Sequence, residues 1–138
     1  MILDRTTTAH RVDIQPVIDA ERILAHQQLV KRVIIAPHVQ DYIIRCTLAT
    51  HPQGVYAIPM TNQFLRVGAS PRAAQAITLA AKVRALLDAR FHVSFQDIKD
   101  VVVPAMRHRV ILNFEGEAEG ITADALVADL LRAVPAGS

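Results

Sequence analysis

The sequence predicts an all-α protein, a small bundle of about five helices with a long loop before the third. Three observations support this fold class. Apolar residues recur at helical spacing in five segments, and most of these segments begin at a residue that favours a helix start. The connections between the segments are short, apart from one stretch. Runs with the alternation of a strand are few, so no sizeable sheet is expected.

Length and composition fit one folded domain. The chain has 138 residues, of which 51% are hydrophobic and 20% are charged, a composition that suits a packed core. No apolar run approaches the roughly 18–20 residues that span a membrane, and the N-terminus lacks the apolar stretch of a signal peptide. The single cysteine, Cys46, excludes a disulfide framework and a multi-cysteine zinc site. We therefore expect a reduced, cytoplasmic protein without a membrane partner.

The first two helices are recognised by the residues at which they begin. Asp19 is a good N-cap for a helix that runs to about Val33, and Pro37 fits the first position of a helix that continues to about Thr50. Residues 1–17 show no helical period and predict an extended lead-in. The apolar positions assigned to these two helices are Ile23, Leu24, Leu29 and Val30 in the first, and Val39, Tyr42, Ile43, Cys46 and Leu48 in the second.

The third helix is the clearest, and a long loop precedes it. Residues 51–69 are interrupted by prolines and glycines, which predicts a loop with short extended pieces around Val55–Ile58 and Phe64–Val67. Loops of this length are often functional. Ser70 then caps a helix that runs to Asp88. This helix is rich in alanine, which lets neighbouring helices approach closely.

A fourth and a last helix complete the predicted bundle. Ser94 opens the fourth, with Asp97 three residues on in a variant of the capping box, and Pro104 is expected to interrupt it. The short apolar run Val110–Leu112 is expected to be strand-like. Thr122 then caps a final helix that runs through about Ala133.

Charge is distributed unevenly along the chain. Residues 66–109 hold eight basic and three acidic groups, whereas residues 110–138 hold one basic and five acidic groups. A basic block of this kind suits phosphate-bearing partners, although solvated helix faces produce the same pattern. One interpretation is therefore an independent helical binding module that uses residues 66–109 for nucleic acid. Against it, no helix is rich in the Arg, Asn and Gln of a recognition helix.

No motif supports a stand-alone enzyme. The chain has no phosphate loop, no HExxH zinc motif and no GxSxG nucleophile motif. Its six histidines form no i, i+4 pair, so no metal site is predicted. Glu115, Glu117 and Glu119 are expected to be solvated acids and not a cation site. Cys46 lies among apolar positions of a helix, which favours a buried thiol over a nucleophile.

Arg72 runs against a local preference. It falls in the first turn of the third helix, directly after Pro71, where the helix dipole disfavours a cation by a few tenths to about 1 kcal/mol. Such breaches of local preference often mark function. An arginine beside unpaired helix N–H groups forms a concentrated anion site that suits a phosphate. An arginine satisfied by water or by a nearby acid is the alternative.

The segment Gly68–Ala73 reads GASPRA and resembles the motif that opens the sensor-2 helix in the lid domain of MoxR-family AAA+ ATPases. Ala89 stands where this family often has glycine. The resemblance extends in order over nearly the whole chain. The other segments that resemble the family are Leu3–Thr6 (the last turn of the preceding nucleotide-binding domain), Ala85–Val93, Asp97–Lys99, Met106–Leu112 and Glu117–Ile121.

The resemblance implies a division of the chain into two parts. Residues 1–17 are expected to be a linker at the end of a preceding nucleotide-binding domain, and residues 18–138 the helical lid domain. The family's phosphate loop, Walker B acids, sensor 1 and arginine finger are absent from the sequence and are expected upstream of Met1. The chain alone is therefore expected to be inactive, whereas the longer protein is expected to hydrolyse ATP.

The resemblance also implies a nucleotide site. In this family ATP with Mg²⁺ lies between the nucleotide-binding domain and the lid, and the lid itself holds no metal. The sensor-2 arginine reaches the β- and γ-phosphates, and Arg72 matches that arginine. Ala69 and Pro71 are expected to lie near the nucleotide. His108 and Arg109 also match a family motif, and we expect them to make structural contacts at a helix end or between subunits.

The partners are likewise those that the resemblance implies. They are the nucleotide-binding domain of the same protein, further copies in a hexameric ring, and a protein with a von Willebrand A domain. Family members act as chaperone-like remodelers, so the same activity is expected of the longer protein.

Overall fold

The computed structural model describes residues 15–136, which form seven α-helices and one two-stranded antiparallel sheet. The all-α fold class is confirmed. Residues 1–14, including Leu3–Thr6 and His10, lie outside the described residues. In chain order the elements are α1 (Ala20–Arg32), α2 (Pro37–Leu48), α3 (Pro59–Phe64), β1 (Leu65–Val67), α4 (Pro71–Leu87), α5 (Phe95–Met106), β2 (Ile111–Leu112), α6 (Phe114–Ala118) and α7 (Ala123–Ala133).

All five helices that the sequence predicted begin at the residues it indicated. The side chains of Asp19, Ser94 and Thr122 accept hydrogen bonds from backbone N–H groups in the first turns of α1, α5 and α7. Asp97 completes the capping box of α5. Pro37 is the first residue of α2, where its missing N–H removes no helical bond.

The stretch 51–69 is not one long loop, so this prediction was wrong, as was the count of five helices. The stretch contains α3 and β1, and β1 occupies the extended piece expected around Phe64–Val67. No strand forms at Val55–Ile58. Tertiary contacts hold α3: the Thr61 hydroxyl donates to the carbonyl of Ala49 at 2.8 Å, and one face of the helix is buried.

Pro104 does not interrupt α5, contrary to expectation. The helix continues through it to Met106. A proline inside a helix lacks the N–H that would bond four residues back, here to Asp100. The disruption stays small because α5 ends only two residues later.

The alanine-rich helix α4 lies at the centre of the bundle. It packs against α1, α2 and α5, while α5 also packs against α7, and α3 packs against α6 and α7. Ala73, Ala81 and Ala85 of α4 are fully buried. Small side chains at these contacts let the helices approach closely, as the sequence predicted. No helix among residues 15–136 is long and apolar enough to cross a membrane.

The helix α1 adds little to the core. None of its residues is buried against the rest of the described chain, and the apolar side chains of Ile23, Leu24 and Leu29 are exposed. In α2, the expected buried side is correct except at Leu48, which is also exposed. Apolar periodicity therefore located these helices but did not identify which apolar faces are covered.

Ala89 adopts the left-handed conformation, with φ of 56°. It ends α4 in a Schellman motif, in which the N–H of Arg90 donates to the carbonyl of Ala85 at 2.8 Å and the N–H of Ala89 to that of Leu86 at 3.0 Å. This conformation costs an alanine roughly 1–2 kcal/mol, and glycine adopts it freely. We expect Ala89→Gly to raise the free energy of unfolding, measured in urea, by about 1 kcal/mol.

The matched control for this substitution is Ala76→Gly within α4. There glycine brings its backbone entropy and removes a half-buried methyl group, and we expect a loss of about 1 kcal/mol. If Ala89→Gly lowered stability as Ala76→Gly does, the left-handed cap would be refuted.

Candidate functional site

Arg72 stands exposed at the start of α4. Its side chain makes no hydrogen bond or ion pair with any of residues 15–136. Ser70 has the extended backbone of an N-cap residue, yet its side chain makes no capping bond, and Pro71 fills the first helical position. The start of α4 lacks a side-chain cap, as do the proline-initiated starts of α2 and α3, whereas α1, α5, α6 and α7 possess one. An unpaired guanidinium and an uncapped helix N-terminus coincide, and both favour an anion.

A buried hydrogen bond holds the segment that precedes Arg72. The N–H of Ala69 donates to the Thr50 hydroxyl oxygen at 2.8 Å, and both residues are fully buried. The Thr50 hydroxyl in turn donates to the carbonyl of Thr47 at 2.6 Å. The chain entering α4 is therefore fastened to the C-terminal end of α2.

Gly68 is required at its position because the backbone passes against Thr50. A Cβ atom on residue 68 would lie 2.6 Å from the Thr50 carbonyl oxygen, far inside van der Waals contact. The glycine of the GASPRA segment (Gly68–Ala73) thus has a structural cause in close backbone approach. Within the segment, Pro71 is exposed beside Arg72 while Ala69 is buried. Their contact with a nucleotide stays a prediction.

Three of the eight basic residues in the segment 66–109 are paired with acids. Arg84 contacts Asp100 at 3.3 Å, and Arg107 contacts Asp124 at 2.9 Å. Arg90 is paired as well. Residues 66–109 are therefore not one unpaired positive surface, and the nucleic-acid interpretation gains no support from the described residues.

The most tightly bonded charge is the carboxylate of Asp97. The Arg90 guanidinium donates to its two oxygens at 2.6 and 2.9 Å, and the Ser94 N–H and hydroxyl add bonds of 2.7 and 2.8 Å. The carboxylate side chain is only 3% exposed. These bonds, that of Arg90 foremost, lower the pKa of Asp97 to about 2.

The Arg90–Asp97 pair fixes the loop between α4 and α5, and it is a structural element. The sequence indicated Asp97 as a capping residue and gave no signal for Arg90. Arg90 lies in the loop between α4 and α5 and Asp97 lies in α5, so no single helical or strand period relates the two residues. The left-handed Ala89 directs the chain so that they meet.

The remaining candidates have structural explanations. Cys46 is buried, and burial raises the pKa of its thiol to about 11, so a thiolate nucleophile is disfavoured. Among residues 15–136, no three His, Cys, Asp or Glu side chains cluster as metal ligands. Arg109 donates from Nε to the carbonyl of Ala105 at 2.9 Å, which is a helix-end contact, and His108 is exposed.

Comparison with known proteins defines the class. The family described as the AAA lid domain matches residues 59–130, from α3 into α7. This region is just over half of the chain and includes the GASPRA segment and the Arg90–Asp97 pair. The fold and the match together define an AAA lid domain.

The relatives specify the family further. The chain is 28% identical to "Chaperone MoxR1" of Mycobacterium tuberculosis over 112 residues, which cover 81% of this chain and 30% of that protein. It is 32% identical to "Protein MoxR" of Methylorubrum extorquens over 123 residues, or 86% of this chain and 35% of the relative. The chain belongs to the lid domains of the MoxR family of AAA+ ATPases.

A solved structure agrees with this assignment. The crystal structure of a protein assigned as an ATPase from Cytophaga hutchinsonii superposes with a TM-score of 0.82 at 30% identity, covering 97% of this chain and 41% of that one. The chain spans about a third of the length of the two MoxR relatives.

Proposed function

We propose that this chain is the sensor-2 lid of an ATP-hydrolysing MoxR-type remodeler. Residues 18–138 form the lid, and residues 1–17 join it to a nucleotide-binding domain. ATP lies between the two domains, and Arg72 contacts its β- and γ-phosphates. Hydrolysis then changes the phosphate contacts of Arg72 and with them the angle of the lid.

The observation that carries this proposal is the state of Arg72. Its guanidinium is exposed and makes no bond to the described residues, at a helix start without a side-chain cap. Both features fit the negatively charged oxygens of a polyphosphate. Pro71 fixes one backbone angle immediately before Arg72, so the arginine starts from a defined position.

The proposal assigns the rest of the nucleotide chemistry to other parts of the protein. ATP with Mg²⁺ supplies the phosphoryl group to be transferred, and the residues described here form no metal-ligand cluster. We place the metal ligands and the water-activating groups in the nucleotide-binding domain. Further proposed partners are copies of the same protein in a hexameric ring and a protein with a von Willebrand A domain. We place the assembly in the cytoplasm.

Removal of the lid tests the proposal. We expect a shortened version of the longer protein, which ends before residue 18 of this chain, to hydrolyse ATP at least about a hundredfold more slowly than the intact protein, because the phosphate contact of Arg72 is lost. Gel filtration must show that the truncated protein is folded. Equal turnover by the intact and truncated proteins would disprove the role of the lid.

The chain by itself should bind ATP only weakly. Arg72 and one helix end are the proposed phosphate ligands, and a single charge-assisted contact contributes roughly 1.5–3 kcal/mol before the cost of association. Isothermal titration of the 138-residue chain should therefore give a Kd well above about 10 μM. A tighter complex would mean that the lid carries a complete nucleotide site, contrary to the proposal.

A further inference from the structure

We infer that Thr50 is a positioning residue for Arg72, an inference that rests on the proposed function. Thr50 lies just beyond the end of α2, whereas Arg72 is on α4. The hydroxyl oxygen of Thr50 accepts the N–H of Ala69, three residues before Arg72, at 2.8 Å. Both residues are fully buried, so no water competes for this bond.

The orientation of the Thr50 hydroxyl is fixed by a second bond. Its hydrogen is donated to the carbonyl of Thr47 at 2.6 Å. The oxygen lone pairs are then directed away from Thr47, and one of them receives the N–H of Ala69. A hydroxyl that donates and accepts at once is held more firmly than one that makes a single bond.

The fit around Gly68 leaves the segment little room to move. A Cβ on residue 68 would lie 2.6 Å from the carbonyl oxygen and 2.9 Å from the hydroxyl oxygen of Thr50. Contact and hydrogen bond therefore fix two successive residues, Gly68 and Ala69, against the end of α2. From there Pro71 restricts the path to Arg72.

Loss of the Thr50 hydroxyl would release this segment. The buried N–H of Ala69 would have no acceptor, and the chain would shift toward water or another acceptor. Arg72 would move with it. Rates of phosphoryl transfer depend on placement of charged donors at ångström precision, so a displacement of this kind lowers kcat.

The test uses two valine substitutions in the full-length ATPase. Thr50→Val keeps the shape of the side chain and removes the hydroxyl. Thr61→Val is the matched control, because it removes a buried hydroxyl that donates to the carbonyl of Ala49 and makes no hydrogen bond to Gly68 or Ala69. We expect kcat to fall about tenfold in Thr50→Val, to stay near wild type in Thr61→Val, and to recover largely in Thr50→Ser, which keeps the hydroxyl.

A double substitution separates positioning from general destabilisation. If Thr50 acts through Arg72, Thr50→Val should lower kcat no further in a protein that already carries Arg72→Ala. A second, multiplicative loss of about tenfold in that background would overturn the inference. Equal losses of kcat in Thr50→Val and Thr61→Val would overturn it as well.

Hydrogen exchange supplies a readout that does not depend on catalysis. In the same full-length proteins, the peptide that covers residues 66–73 should take up deuterium faster in Thr50→Val than in wild type or Thr61→Val. Unchanged uptake would show that Thr50 does not hold the segment. The inference about Thr50 would then fail, while the proposed function of Arg72 would be unaffected. If uptake rises but Arg72→Ala leaves turnover at the wild-type rate, the proposed function fails, and positioning of a phosphate contact fails with it.

Discussion

Replacing Arg72 by alanine is expected to lower ATP turnover by the full-length protein about a hundredfold while leaving the lid folded. In the proposed complex the guanidinium meets the γ-phosphate, where charge develops during transfer. Removing one fixed donor from such a position costs roughly 3 kcal/mol of transition-state stabilisation. Steady-state hydrolysis, measured on assembled protein, gives the effect directly.

Folding should be insensitive to the same change. Arg72 is exposed and bonds to none of residues 15–136, so its removal opens no cavity and leaves no buried partner unpaired. It also removes a cation from the positive end of the dipole of α4, which favours the folded lid by a few tenths of a kcal/mol. Thermal unfolding should therefore show an unchanged or slightly higher midpoint.

Two further variants sharpen the result. Arg72→Lys should restore turnover only in part, because an ammonium lacks the planar fork that engages two phosphate oxygens. Arg132→Ala removes an exposed arginine of α7 whose partner is Asp129 within the same helix, and it should leave turnover unchanged. Wild-type hydrolysis by folded, assembled Arg72→Ala protein would eliminate the sensor-2 assignment.

Asp97→Asn should give the largest loss of stability among the substitutions considered, about 3 kcal/mol in urea denaturation. The substitution leaves the partly exposed Arg90 guanidinium facing an amide in place of a buried carboxylate, so the cost falls at the lower end of the roughly 3–5 kcal/mol that breaking a fully buried pair costs. It also weakens the capping box that begins α5. The control is Asp129→Asn, an exposed pair with Arg132, where we expect less than about 1 kcal/mol.

The carboxylate of Asp97 should also make the stability of the folded chain depend on pH. The pKa of Asp97 is lowered from 3.8 to about 2 in the folded chain, so its contribution is complete above the unfolded value and is lost as pH falls toward 2. This loss amounts to about 2 kcal/mol between pH 5 and pH 2. In Asp97→Asn the acid limb of the stability curve should be shallower. Identical acid limbs in both proteins would contradict the role assigned to the Arg90–Asp97 pair.

The sequence identified most of the long helices because each carries its own start signal. Asp19, Ser94 and Thr122 supply side-chain caps, and Pro37 fits a first turn. These signals are local, since a cap and a helical period require only neighbouring residues. By contrast, α3 is only six residues long. Its stability comes from contacts with distant residues, such as the bond from Thr61 to Ala49, which no local pattern contains.

The candidate site was predictable to the same degree. The sequence alone shows that Arg72 is a cation in the first turn of α4, and this made Arg72 a candidate. The residues that hold it were not, because Thr50 meets Ala69 nineteen positions away. Likewise, the Arg90–Asp97 pair depends on the left-handed conformation of Ala89, which the presence of an alanine in the sequence does not predict. The candidate side chain was found from local chemistry, whereas the residues that hold its segment could be found only from the fold.

The most direct test of the sensor-2 assignment is a structure of the full-length protein with Mg²⁺ and a non-hydrolysable ATP analogue. We expect a guanidinium nitrogen of Arg72 to lie about 3 Å from a β- or γ-phosphate oxygen, with the GASPRA segment still fastened to Thr50. A nucleotide bound in the large domain with Arg72 turned to solvent, its phosphates contacted by other arginines only, would contradict the assignment.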